Sequence, residues 1–537
     1  MMRRTNRVPA LILLLVLSLV LSWASPRAAQ AGPELQIPLN QALVLEGSET
    51  TNPREYDPAT THGSGDKRVF SGLVALDPNL NLIPDLAERW ELSPDGTVYT
   101  FYLRKNARFH DGRPVTVQDV IYSWERAADP KLASDTVLTY LGDIVGVRDK
   151  YNGRAKNISG LKALDDYTLQ VTIDAPKPYF LLKLTYPTAF IVDKKNVESG
   201  RTWYRQPNGT GPYKIIEWKP FQRIVYQANP DFYLGKPSIP YIVINLYSGI
   251  GFRLYESGEV DIASVSLYAV DRFLDPTEPL HRELRSAVSL CTGYVVFDVN
   301  RPPFDDVNVR KAFSMAFDRE KFVQVVMRGH AVPARGLYPP ALPGYNPNLR
   351  PLPYDPEQAR QLLKQSKYGG PEGLPPIVFT DAGYGTSIGL DVSAMAEMWQ
   401  RNLGVKITVE NIEPNFYYDQ IYSGQHSGQM YSTGWCADYP DPENFADVLF
   451  HTGSPQNNGH YSNPELDRLL EQARTERDVN RRIAMYQQAE QMIVDDAPVL
   501  FTVHWIDYVL VKPYVKGYVL TPIDISLERY LWLDGKR

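Results

Sequence analysis

The stretch LAERWELSPDGTVYTFYLRKNARFHDGRPVTVQDVIYSWER, residues 86–126, holds two turns, a strand and a capped helix in a single run. Ser93-Pro94-Asp95-Gly96 is a turn sequence, and residues 98–103 are dense in the β-branched and aromatic side chains that fit a pleated surface. A second turn at His110-Asp111-Gly112 leads to Thr116, with Asp119 three places later. A hydroxyl and a carboxylate at that spacing predict a reciprocal helix cap, and Val120, Ile121 and Trp124 supply the helix's apolar face.

The same alternation continues outward. A strand over 293–299 precedes Asp305-Asp306, a capping pair, and Val309, Ala312, Phe313, Ala316 and Phe317 follow at helical spacing. Asp355-Pro356 and Asn463-Pro464 each set a capping side chain before a proline at the first helical position. The first of these helices buries Ala359, Leu362 and Leu363; the second buries Leu466, Leu469 and Leu470. A further amphipathic helix is expected over 478–494 and a strand over 499–503. The class is mixed α/β. At 537 residues the chain exceeds what one hydrophobic core sustains, so two to four domains are expected.

Composition narrows the function. Hydrophobic residues make up 43% and charged residues 22%, which places the chain among folded globular proteins. Its 43 prolines imply many rigid turns, and its 34 tyrosines suit surfaces that are apolar yet offer hydrogen bonds. Arg3, Arg4 and Arg7, the apolar run 10–24 and Ala29-Gln30-Ala31 together read as a secretory signal cleaved after Ala31. The run is shorter than the roughly 20 residues that span a bilayer, which disfavours an uncleaved anchor, and no nearby cysteine offers a lipid attachment. Cleavage leaves 52 basic against 62 acidic side chains, a net charge of −10. An acidic exported protein is a poor partner for nucleic acid or anionic membranes.

Two catalytic motifs are absent: there is no Walker A loop and no His-Glu-x-x-His, and Gly63-Ser64-Gly65 is only a short turn. His451 and His460 share a polar loop and read as solvated residues, so no metal site is expected. The segment GWCADYPDP, 434–442, asks more. Cys436 beside Asp438 suits a nucleophile, but after export the two cysteines, Cys291 and Cys436, most economically pair with each other. Free buried thiols and a reactive Cys436 are the alternatives. Asp438, among Tyr431, Trp435 and Tyr439, is either a turn residue capping local amides or a charge that awaits a cationic ligand group.

Several ordered segments resemble one family. Residues 86–126, NGTGPYKIIEW (208–218), RPPFDDVNVRKAFSMAFDRE (301–320), YPPALPGYNP (338–347) and YSNPELDRLLEQARTE (461–476) are similar to landmarks of the family 5 extracellular solute-binding proteins, which serve ABC importers. LCTGYVVFDVNRPPF (290–304) and GWCADY (434–439) resemble its oligopeptide-binding branch, whose cysteines in these contexts form a disulfide. The resemblance implies an α/β, bilobal periplasmic-binding-protein fold with an additional inserted domain. Residues 32–74, 186–289 and 506–537 would build the first lobe, with 75–185 inserted in it. Residues 290–505 would build the second, with hinges near 289 and 505.

By the same resemblance Gly434, Trp435 and Cys436 on one lobe, and His62, Gly63 and Ser64 on the other, offer backbone to an extended peptide. Asp438 receives its α-ammonium, Tyr439 belongs to the same ligand-binding set, and Tyr140 with Phe416 or Tyr417 forms pocket walls. The implied protein is a non-enzymatic, cofactor-free, monomeric periplasmic carrier of short peptides that docks on an inner-membrane ABC permease. Alternatives are a non-peptide solute such as an oligosaccharide, opine or nickel complex, an exported cysteine hydrolase, and a sensor or chaperone. Two departures stand out. Ser432 occupies a position where relatives often carry an arginine for the peptide carboxylate, and Phe416-Tyr417 replaces a tryptophan.

Overall fold

The computed structural model describes residues 35–47, 56–60, 67–246, 249–383, 388–525 and 527–537. The run 86–126 folds as expected. Ser93-Pro94-Asp95-Gly96 closes a hairpin between Ala87–Leu92 and Val98–Leu103, with Gly96 at φ 79°, where glycine carries no Cβ penalty. Thr116 caps the helix Val117–Ala127, and the Asp119 carboxylate accepts the Thr116 amide at 2.8 Å. Val117, Val120 and Trp124 point into the core, and the Trp124 indole donates to the Ala189 carbonyl at 2.9 Å. The hairpin continues into a four-stranded antiparallel sheet in the order Ala87–Leu92, Val98–Leu103, Thr168–Thr172, Leu161–Asp165. It has its own apolar cluster around Phe101, Trp124 and Phe180.

An eleven-stranded sheet runs through the rest, built on two long antiparallel strands, Leu284–Phe297 and Val499–Val511. Sequence periodicity predicts only one end of each, because the other ends are stabilised by each other rather than by a local pattern. Leu284 to Val288 pair with Ile506 to Leu510 in the half that contains Ala42–Glu46, Arg223–Ala228 and Tyr241–Asn245. Thr292 to Val296 pair with Val499 to His504 in the half that contains Ile377–Ala382, Ile407–Ile412 and Met430–Cys436. Between Val288 and Thr292 the register shifts, so the ladder breaks where the two halves meet.

The capped helices surround the second half. Asp355 accepts the amides of Glu357 and Gln358, Asn463 those of Glu465 and Leu466, and Asp306 that of Asn308. The helix expected over 478–494 spans Val479–Asp496. It carries a buried acid that its amphipathic pattern does not single out. Glu490 is almost fully buried and accepts the amides of Leu337 at 2.9 Å and Tyr338 at 3.0 Å through one oxygen, while its other oxygen has no partner among the described residues. Burial outweighs the two amide bonds and pushes its carboxyl up to about 7. The folded state therefore holds this proton more tightly than the unfolded chain. The stabilisation is complete below the ordinary value near 4.5 and is lost as pH rises through about 7. Denaturant unfolding at pH 5 and pH 8 should show Glu490→Gln losing up to about 3 kcal/mol less than wild type over that interval. Equal losses would remove Glu490 from this role.

Candidate functional site

The strand Met430–Cys436 pairs along its whole length with Leu284–Phe297, from Phe297 opposite Met430 to Cys291 opposite Cys436. On its other side only Met430 and Tyr431 pair, with Phe379 and Thr380. Residues 432–436 therefore present a strand edge with no strand partner among the described residues, an edge that extended backbone can extend. Trp505 packs against this wall. A Cβ on Gly434 would sit 2.4 Å from its Cη2, and one on Gly293 would sit 3.0 Å from its Cζ2, so both glycines are needed for that packing. Cys291 and Cys436 are joined by a disulfide across the facing strands, and no described cysteine is free.

Past the strand the chain turns into the helix Glu443–Phe450, and Asn444 from its first turn fixes Asp438. The Asn444 side-chain oxygen accepts the Asp438 amide at 2.9 Å and the Trp435 indole at 3.2 Å, while its amide nitrogen donates to the Asp438 carboxylate at 3.1 Å. The same carboxylate oxygen accepts the Tyr140 hydroxyl at 2.6 Å. Tyr140 is stacked on Tyr186, with ring centroids 3.6 Å apart. Burial and the adjacent Asp438 charge push the Tyr140 phenol well above its usual range, so it stays a donor. Asn444 and Tyr186 escape sequence reasoning, since each acts through a contact distant in the chain or hidden in a helix start.

Two cavities flank this wall. One, partly open and about 560 Å³, begins at Asp438 and is lined on its polar side by Lys67, Ser71, Asp85, Thr185 and Arg529. The other, about 530 Å³, lies along Thr433, Gly434 and Trp435 and is walled by Tyr294, Tyr418 and Tyr422. Phe416 is 55% exposed and lines neither cavity, whereas Tyr417 is 2% exposed and its hydroxyl donates to the Ser432 carbonyl. The aromatic wall thus comes from Tyr418 and Tyr422, further along the helix Pro414–Tyr422. At Ser432 the hydroxyl donates to Asp381, whose carboxyl burial pushes up to about 6.

Tyr439 is fully buried, its hydroxyl donates to Glu443, and it lines neither cavity. Glu443 also pairs with Lys183 at 3.0 Å, and Lys183 with Asp143 at 3.0 Å. His62, Gly63 and Ser64 lie outside the described residues.

Comparison with known proteins agrees with this architecture. The sequence pattern of the bacterial extracellular solute-binding proteins, family 5 (middle region), matches residues 81–457. The periplasmic oligopeptide-binding protein OppA of Salmonella typhimurium is 32% identical over 549 residues, covering 96% of this chain and 97% of that protein. A probable deoxycholate-binding periplasmic protein of Escherichia coli, YgiS, is 31% identical, covering 93% of this chain and 95% of that protein. The crystal structure of Haemophilus influenzae OppA in complex with RPPGFSPFR superposes with a TM-score of 0.80 at 26% identity, covering 93% of this chain and 100% of that one. The fold is the bilobal α/β fold of these binding proteins, with the four-stranded sheet as an additional element. From the matched pattern and the near full-length alignment, this chain belongs to the bacterial extracellular solute-binding proteins, family 5.

Proposed function

We propose that the protein is the peptide-capturing component of an ABC importer, exported to the periplasm with its leader cleaved after Ala31. It then works as a monomer that delivers its ligand to a membrane permease. The observation that carries this reading is the open strand edge at 432–436, which ends at a carboxylate already held by Tyr140 and Asn444. An extended peptide adds to that edge through main-chain hydrogen bonds, which are indifferent to its sequence, and its α-ammonium meets Asp438. No catalytic step is involved. Cys436, considered above as a nucleophile, is consumed in the disulfide. The register break at 288–292 supports hinges near 289 and 505, about which lobes built from 32–74, 186–289 and 506–537 (with 75–185 inserted) and from 290–505 close on the ligand.

Calorimetry with trialanine, its N-acetyl form and its C-terminal amide tests this. N-acetylation should weaken binding about tenfold or more, because it removes the charge that Asp438 meets. Amidation should change little, since Ser432 and Asp381 offer no cation to the carboxylate. Equal affinity for the free and acetylated peptides would refute the anchor. The tyrosine-walled cavity, together with a relative named for deoxycholate binding, favours a second reading in which an amphipathic non-peptide solute is carried. Mass spectrometry of ligand co-purified from the cell envelope separates the two.

A further inference from the structure

Resting on the peptide reading above, we propose that the cavity beginning at Asp438 receives the side chain of the ligand's first residue and selects an acidic one, with Arg529 as its charged anchor. A peptide whose amine sits at Asp438 and whose backbone follows 432–436 has one side chain next to that cavity, its first. Apart from Asp438, the cavity's charged lining is two cations, Lys67 and Arg529, against one acid, Asp85.

Arg529 donates to the Tyr530 hydroxyl and stacks over that ring at 4.7 Å, and among the described residues it has no carboxylate ion pair. The neighbouring Arg68 does, to Glu528 at 2.7 Å, so that acid is used elsewhere. Lys67 donates to the Asp524 carbonyl and likewise has no carboxylate partner among the described residues. Two carboxylates face these cations. Asp438 is held by Tyr140 and Asn444 for the amine. Asp85 accepts the Tyr233 hydroxyl at 2.6 Å, and burial pushes its carboxyl up, toward the neutral form, against the pull of Arg529. A guanidinium with free donors in a recessed, alcohol-lined cavity matches a carboxylate in shape and charge.

Titration calorimetry of the full-length protein with Glu-Ala-Ala, Gln-Ala-Ala, Ala-Ala-Ala and Lys-Ala-Ala tests the assignment. Glu-Ala-Ala should bind about tenfold or more tighter than Gln-Ala-Ala. That ratio should fall to near one in Arg529→Gln and be partly kept in Arg529→Lys. Equal affinity of wild type for the Glu- and Gln-first peptides overturns the proposal while leaving peptide capture standing. Tightest binding of Lys-Ala-Ala also overturns it, and would show Asp85 to dominate the cavity. Binding of none of the four overturns both readings. The wild-type ratio requires no variant, so it decides the matter even where a substitution impairs folding.

Discussion

Asp438→Ala is expected to lower affinity for a free-amine tripeptide by about 2–5 kcal/mol, a loss of about 30-fold to several thousandfold. The size follows from what the carboxylate does in this fold. Tyr140 and Asn444 hold it by bonds of 2.6 and 3.1 Å, so its position is set before the ligand arrives and little ordering is left for the complex. On the proposed binding mode, truncation leaves an enclosed ammonium without its counter-charge, and it leaves the Tyr140 hydroxyl and the Asn444 amide without their acceptor. Asp438→Asn keeps an acceptor for Tyr140 and removes only the charge, which isolates the electrostatic share. Calorimetry should show the N-acetylated peptide affected far less than the free one. Unchanged affinity in Asp438→Ala would mean that the amine lies elsewhere.

Lys183→Met should cost about 3–5 kcal/mol of stability, read from urea unfolding. Lys183 lies on the short helix Phe180–Lys183, packed into the cluster of the four-stranded sheet, and Glu443 lies on a helix of a different cluster. Burial opposes the lysine's charge, but Asp143 and Glu443 overcome that and hold its ammonium above the usual lysine range. Removing it leaves Glu443 enclosed without a cation, since Lys177 pairs with Asp143 at 2.6 Å rather than with Glu443. The double variant Lys183→Met/Glu443→Gln should recover a large part of the loss, because it removes the stranded charge as well. A loss below about 1 kcal/mol in the single variant would place this pair with ordinary surface ion pairs.

Elements specified by local chemistry are legible in the residues themselves. Thr116 with Asp119, Asp355-Pro356 and Asn463-Pro464 start helices where their side chains can reach free amides within a turn. Strand 98–103 and its turn follow from β-branched residues and Ser93-Pro94-Asp95-Gly96. The long strands are only half visible, because Leu284 to Val288 and Ile506 to Leu510 stabilise each other across 218 to 226 positions of chain. Of Phe416 and Tyr417, the alternatives for one wall, Phe416 is exposed and Tyr417 buried, since helical phase and not residue type decides which ring faces the strand.

By itself the sequence determined the α/β class and the capped helices; export and the resemblance favoured the cysteine pair, and the resemblance pointed to Asp438. Local spacing and residue chemistry suffice for the class and the caps. Only the tertiary structure decided that residues 432–436 are an edge without a strand partner among the described residues, that Asn444 and Tyr140 hold Asp438, that Tyr439 is buried, and that Arg529 shares a cavity with Asp438. Those facts depend on groups far apart in the chain being brought within hydrogen-bond or cavity distance. Such proximity follows from how the sheets and helices pack, which no local pattern of residues encodes.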